Sequence, residues 1–287
     1  MKNKINKNLP NKTAVITGST GGLGKEISLS LAKLNYNLIF VNRNIEKSKD
    51  FKNEILNNYP NIEIQIIQCD FSNFEDVKKT TQQLQNYNFD ILILNAAIYN
   101  VPLEKTSTGY NNIFQTNFVS PYYMAKQLLP KLKQSQVGKV IAVGSIAHNY
   151  SKTNENDIDF STYKKASKIY GNSKRFLMFS LFELFKEEKD VMLSICHPGI
   201  TLTNMTNHYP KAINWLVKIG IKLIFPNPKK ACRSIIYALE NSTPYHYWIG
   251  PKVFNIFGKP KIKKLHTCSI KESENIYKIA ENIYKNL

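Results

Sequence analysis

Short apolar runs alternate with longer amphipathic stretches along most of the chain. The runs lie at 13–17, 38–41, 62–67, 90–94, 139–144 and 191–195. Each is short enough for a strand, and the run at 90–94 is apolar on both faces, as in a parallel sheet covered on both sides. Between them, apolar residues recur at helical spacing: Ile27, Leu31 and Leu34, then 45–58, a segment capped by Ser72 or Asn73, and a long stretch at 108–134. A further helix carries Ile169, Phe176, Leu177, Leu181 and Leu184. Asn227-Pro228 reads as a helix start, with that helix running to about Glu240. A last strand is expected at 245–249, then a basic stretch at 259–264 and a final helix at 269–284. Alternating strands and helices predict an α/β fold, a doubly wound parallel sheet of about seven strands with helices on both faces. With no repeat, linker or composition break, one domain is expected over 12–287, behind a flexible basic leader at 1–11 and with a C-terminal extension after about 250.

Composition narrows this little. The 287 residues are 43% hydrophobic, enough for one substantial core. The formal charge is +18, almost entirely from lysine, since Arg43, Arg175 and Arg233 are the only arginines. Dispersed surface lysines explain the charge. Binding to nucleic acid or an anionic membrane is the alternative, and no arginine stripe, zinc spacing or RNA-binding signature supports nucleic acid. Cys69, Cys196, Cys232 and Cys268 form no C-x-x-C pair and match no metal-site spacing. They read as reduced thiols, which favours a cytoplasmic protein. The N-terminus lacks an apolar signal core, and no stretch is long and apolar enough to span a membrane.

Candidate chemistry begins at the first strand. It runs into Gly18, Ser19, Thr20, Gly21, Gly22, Leu23 and Gly24, with a helix following. Strand, glycine turn and helix N-terminus form the context for binding a pyrophosphate. The second strand ends at Asn42-Arg43, where NAD-binding sheets usually carry a carboxylate for the adenosine ribose. Arginine suits a 2′-phosphate instead, so NADP(H) is preferred and NAD(H) stays possible. A surface arginine opening the next helix is the plain alternative. Asp70, followed by Phe71, is placed to accept from an adenine amino group, or it is a loop aspartate.

The fourth strand ends at Asn95-Ala96. Asn117 and Pro121 then flaw a helix, which is either a simple kink or a defect tolerated for a site. Ser145 stands at the carboxyl end of the fifth strand, where open sheets bind ligands, and can hydrogen-bond a reacting oxygen. Tyr170 and Lys174 share a helix face. An ammonium beside a phenol stabilises the phenolate and moves its pKa toward working pH, making Tyr170 a proton relay. Alone, such a pair is more often a solvated helix pair.

Thr17-Gly18-x-x-x-Gly22-x-Gly24, Asn95-Ala96, Asn117, Ser145, Tyr170-x-x-x-Lys174 and Pro198-Gly199-x-x-x-Thr203 stand in the order of the short-chain dehydrogenase/reductase family, which the chain resembles over about 12–250. Ser145-Ile-Ala147-His148 and His197-Pro198-Gly199 look like its retinol-dehydrogenase-like branch, in which NADP(H) and apolar alcohols, aldehydes or ketones are common. Ala97 departs from the usual glycine. The resemblance implies a Rossmann fold, with Tyr170 as general acid/base and Ser145 orienting the substrate oxygen. Lys174 would hold the nicotinamide ribose and lower the Tyr170 pKa, and Asn117 would support a water linking Lys174 to solvent. Asn95 would stabilise the central strand, and Thr203 would contact the nicotinamide carboxamide or phosphate. It also implies a substrate lid at 200–226, whose Trp215, Leu216, Ile219, Ile221, Leu223, Ile224 and Phe225 suit an apolar substrate, a membrane or subunit contact, or plain core.

The function expected is therefore NADP(H)-dependent interconversion of a carbonyl and an alcohol on a small or apolar substrate, by a homo-oligomer. The alternatives are a cofactor-binding sensor or scaffold and a peripheral membrane dehydrogenase of retinoids or lipids.

Overall fold

The computed structural model describes residues 11–150, 152–199 and 228–287. The expected basic leader (except Asn11), the lid and Thr203 lie outside the described residues. Eight strands form one sheet: β1 (Thr13–Thr17), β2 (Asn37–Asn42), β3 (Ile64–Gln68), β4 (Ile91–Leu94), β5 (Lys139–Val143), β6 (Met192–Cys196), β7 (Tyr247–Val253) and β8 (Phe257–Lys264). Their order is β3-β2-β1-β4-β5-β6-β7-β8. Neighbours from β3 through β7 run parallel, and β8 pairs antiparallel with β7. The expected sheet is present with one strand more than anticipated. The basic stretch at 259–264 forms that strand.

The central strands are buried on both faces. Val15, Leu92, Leu94, Val140 and Ala142 face one core, under helices that include Ala166–Leu184 and Ile270–Lys285. Ala14, Ile16, Ile91, Ile93 and Ile141 face the other, under Gly22–Lys33, Ile45–Asn58 and Arg233–Glu240. This two-sided burial is why the runs read as continuously apolar.

Helix ends carry the expected chemistry. Asn73 caps Phe74–Leu84 through the Glu75 amide, with Glu75 and Asp76 in the first turn. Ser269 caps Ile270–Lys285 by accepting from the Glu272 amide. Buried Lys139 closes Arg233–Glu240 by donating to the carbonyls of Ala238 (2.8 Å) and Leu239 (3.0 Å).

The long helix expected from 108 starts later. Thr106–Tyr110 form a turn, with Gly109 at φ +88°, and helix begins at Asn112. Residues Gln115–Val119 then form a π turn before Ser120–Leu132 continues as α-helix. Asn117 lies inside that turn, so the local flaw is a widened helical turn, of the kind that recurs at functional sites.

Candidate active site

The carboxyl ends of β1, β2, β4, β5 and β6 surround a cavity of about 830 Å³. This is within the range of roughly 300–1,000 Å³ typical of ligand sites. At one end lies the glycine turn. Gly18 has φ +69° and lies against Ala96, and a Cβ at Gly24 would fall 2.1 Å from the Gly18 carbonyl oxygen. Neither position accommodates a side chain, so glycine lets the turn fold tightly against β4 and the helix start. The helix behind the turn starts at Gly22 with no side-chain cap and no acidic residue in its first turn. Its amides are free for an anion.

Gly18, Thr20, Gly22, Leu23 and Gly24 line the cavity, together with Gly21. Ser19 does not line it. Its amide donates to Asn42 Oδ1 (2.8 Å), and its hydroxyl accepts from Asn42 Nδ2 (2.7 Å). Asn42 Nδ2 also donates to Ser48 Oγ (2.9 Å). Asn42 thus ties the turn to β2 and the next helix and leaves no group there for a ribose diol. Arg43 is exposed at the rim beside Lys47 and Asp70, all three lining the cavity.

Asp70 is mainly a loop aspartate. Its Oδ1 accepts from the amide (2.9 Å) and hydroxyl (2.7 Å) of Ser72, and its Oδ2 sits 3.8 Å from Arg43 Nη1. Phe71 is buried in the cavity wall. Asn95 ties β4 to β1: its Nδ2 donates to the carbonyls of Thr17 and Gly18, both at 3.0 Å. Ala96 donates its amide to Thr17 Oγ1 (3.0 Å).

The far end holds Ser145, Tyr170 and Lys174. Ser145 Oγ accepts from the Ala147 amide (3.2 Å). The Tyr170 ring packs edge-on against Tyr99, with centroids 5.2 Å apart. Lys174 is fully buried and donates to the Val143 carbonyl (2.9 Å), with its Nζ 5.9 Å from the Tyr170 ring centre. Burial pushes the Tyr170 phenol up to about 12, and a hydrogen bond from Ser145 opposes that rise. Burial lowers Lys174 to about 8.

Loss of hydration outweighs every stabilising influence on the phenolate, and the ammonium is engaged by a carbonyl. Tyr170 is therefore a neutral phenol at pH 7. Asn117 lies within the π turn. Its side chain is fully committed, accepting from the Ile98 amide (2.8 Å) and donating to the Ile98 carbonyl (2.9 Å) and Ser173 Oγ (3.1 Å). It fixes the loop after β4 against the helix carrying Tyr170.

Several lining residues carried no local signal: Lys47, Ile98, Tyr99, Val101, Tyr150 and Ser167. His148, quoted only as part of a motif, is a strut behind Ser145. Its Nδ1 lies 2.5 Å from the Ser145 carbonyl and its Nε2 2.7 Å from Thr267 Oγ1. A carbonyl only accepts, so Nδ1 carries the proton. Burial holds this imidazole neutral, down at about 4. His197 packs flat on Trp248 and, also by burial, titrates near 3. Pro198 and Gly199 complete that wall.

A dinucleotide suits these residues. One end is a glycine turn leading into a helix N-terminus that has no side-chain cap and no acidic residue in its first turn. The wall also contains three buried polar atoms without a partner among the described residues: Asn112 Oδ1, Thr116 Oγ1 and His197 Nδ1. Among the described residues no cluster of histidine, cysteine and acidic side chains could hold a metal.

Comparison with known proteins agrees with this geometry. Residues 12–214 match the short chain dehydrogenase family, and the chain belongs to it. Members of this family are oxidoreductases acting on CH–OH groups. It is 32% identical to the short-chain dehydrogenase TIC 32 A of Brassica napus over 68% of this chain and 66% of that one. It is 25% identical to human polyprenol dehydrogenase, over 90% of this chain and 80% of that one. Identity to human retinol dehydrogenase 13 is 28%, over 70% and 62%, which sets the chain near the retinol-dehydrogenase-like branch. The matches thus span about two thirds of some relatives' length. Among solved structures, an uncharacterised protein of Mycobacterium paratuberculosis superposes with TM-score 0.75 at 21% identity, covering 97% and 96% of the two chains. A short-chain dehydrogenase of Sphingobium yanoikuyae in complex with NADPH superposes with TM-score 0.61 at 18% identity, covering 80% and 84%.

Proposed function

We propose that this protein is an NADP(H)-dependent oxidoreductase that interconverts a carbonyl and an alcohol on a small or apolar substrate. The observation that carries this reading is one cavity with an anion-binding glycine turn at one end and Ser145, Tyr170 and Lys174 at the other. A bound nicotinamide would supply or accept the hydride. Gly18, Gly22 and Gly24 would hold its pyrophosphate, and Lys174 its ribose.

The protein's own part is proton transfer. In the reducing direction the neutral Tyr170 phenol gives its proton to the carbonyl oxygen. Ser145 orients that oxygen and stabilises the alkoxide character it gains. The buried Lys174 ammonium stabilises the phenolate left behind. In the oxidising direction the phenolate takes the alcohol proton. Ile98, Tyr99, Val101 and Tyr150 give the substrate end an apolar and aromatic wall, which fits an apolar carbonyl compound.

Arg43 and Lys47 beside a strand end without a carboxylate support NADP(H). Parallel titrations with NADPH and NADH test this. A preference for NADPH of tenfold or more, about 1.4 kcal/mol, is expected. Equal or reversed preference contradicts it.

A second reading, a peripheral dehydrogenase of lipid alcohols, is favoured by the similarity to polyprenol dehydrogenase and by the apolar wall. A panel of retinal, long-chain aldehydes and polyprenal compared with short aldehydes separates the two. A sensor without catalysis would bind NADPH and turn over none of them.

A further inference from the structure

The hairpin of β7 and β8 exposes what a folded edge ordinarily hides. Its turn is Phe254-Asn255-Ile256, with Phe254 and Asn255 both in the left-handed region at φ 49° and 58°. Phe254 is 85% exposed, and its neighbours Val253 and Phe257 are 45% and 41% exposed. Three large apolar side chains therefore share one tip. Lys252 and Lys259 flank them, and Lys261 and Lys264 stand further along β8, opposite Gly250 and Tyr247; all four are exposed. From Tyr247 to Lys264 there is no aspartate or glutamate. Among the described residues none of these four lysines is in an ion pair.

Lysines on an edge strand protect it from pairing with other chains. That explains β8 but not the tip, because exposed phenylalanines at an edge invite association. Nor is the tip a loose end. Lys263 Nζ donates to the carbonyls of Pro251 (2.7 Å) and Lys252 (2.9 Å) and to Asn255 Oδ1 (2.8 Å). His197 Nε2 donates to the Asn255 carbonyl (3.1 Å). The non-glycine left-handed turn is thus braced from two sides, and Phe254 is held outward.

We propose that this hairpin docks the protein on an anionic lipid bilayer. Phe254, Val253 and Phe257 enter the interface, and the lysines contact acidic headgroups. A pure apolar patch would suit a protein partner. An apolar tip flanked by lysines, with more lysines along the strand behind it, suits a surface that is greasy beneath and negative above. The docking also has a consequence for the cavity. A Cβ on Gly199 would sit 3.1 Å from the Ile256 carbonyl oxygen, so the turn packs against the Pro198-Gly199 rim. Docking by the tip brings that rim to the bilayer. None of this rests on the catalytic reading.

The test is sedimentation of the full chain with phosphatidylcholine vesicles, with and without phosphatidylserine, at low and high salt. Binding is expected to the phosphatidylserine vesicles alone and to weaken with salt. Lys259→Glu combined with Lys261→Glu should lower it by about thirtyfold or more, two lysines at about 1 kcal/mol each near the surface. Phe254→Ser should weaken it severalfold at either salt concentration. Both variants should keep the wild-type Tm and NADPH affinity. Failure of the wild type to sediment with phosphatidylserine vesicles would overturn the proposal. So would equal binding to neutral vesicles, or undiminished binding by both variants, which would place the contact elsewhere, including the segment at 212–225. An acidic protein partner would predict no sedimentation with any vesicle.

Discussion

Lys174 and Arg175 are adjacent, both buried, and opposite in circumstance. Lys174 faces the cavity with one carbonyl partner. Arg175 points away from it and is 2% exposed. Its Nε and Nη2 donate to Glu272 Oε1 (3.0 and 2.6 Å), Nη2 also donates to the Thr267 carbonyl (2.8 Å), and Nη1 donates to the His148 carbonyl (3.2 Å). One cation keeps a single carbonyl partner beside the cavity. The other is paired with a carboxylate and two carbonyls where rigidity is needed. The contrast suggests a rule for a buried charge: complete pairing fits a brace, and a single partner beside a cavity fits the role proposed for Lys174. The brace also accounts for the C-terminal region. It joins residues 265–285 to the back of the helix whose front carries Tyr170, and through His148 to Ser145.

The largest effects should come from breaking each side of this comparison. Lys174→Met should lower turnover by roughly 10²–10⁴-fold, the range for a positioned proton-transfer group. Its stability should stay within about 1.5 kcal/mol of wild type, since only a bond to a carbonyl is lost. Arg175→Met should do the reverse. It leaves the His148 and Thr267 carbonyls without their donor and Glu272 without its partner and should cost about 3 kcal/mol in urea unfolding, and Glu272→Gln, which leaves the buried guanidinium without its counter-charge, should destabilise as well. Comparable stability losses at both positions would erase the distinction.

A third effect is a difference in pH dependence. Lys174 is held near 8 in the fold, against about 10.4 in the unfolded chain. Between those values the unfolded state binds the extra proton, so stability rises with pH. Lys174→Met should lack that rise. On the acid side, His148 and His197 are held neutral, near 4 and near 3. The unfolded chain takes up protons at both as pH falls below about 6.5, so stability should fall from there toward 4. Replacing His148 with Gln should flatten part of that slope. The smallest effect concerns the cofactor rim. Arg43→Ala should reduce the NADPH preference by about tenfold, or roughly 1.4 kcal/mol, leaving NADH affinity nearly unchanged. An unchanged ratio in competitive titration would remove Arg43 from that role.

Much of the site was legible in the chain because its residues sit at strand ends. Gly18, Asn95, Ser145 and Pro198 each follow an apolar run, and a parallel sheet collects the ends of such runs on one side. Tyr170 and Lys174 were legible through helical spacing. What stayed hidden depends on contacts between distant segments. Tyr99 meets Tyr170 across the cavity, and Glu272 meets Arg175 from the C-terminal helix; neither pairing leaves a periodic trace. Ser19 looked like a cofactor contact because the turn reads as one unit, but Asn42 draws it inward. The edge strand β8 was hidden by its lysines, which mimic a solvated loop. Spacing also reports which charge is near Tyr170 and says nothing of the water lost around it.

The most direct test of this account is Tyr170→Phe, assayed for NADPH binding by fluorescence and for NADPH oxidation with an apolar aldehyde that the wild type reduces. The account predicts NADPH affinity within a few-fold of wild type and turnover lower by roughly 10²–10⁴-fold. Turnover within tenfold of wild type would contradict it and would remove Tyr170 as the proton donor.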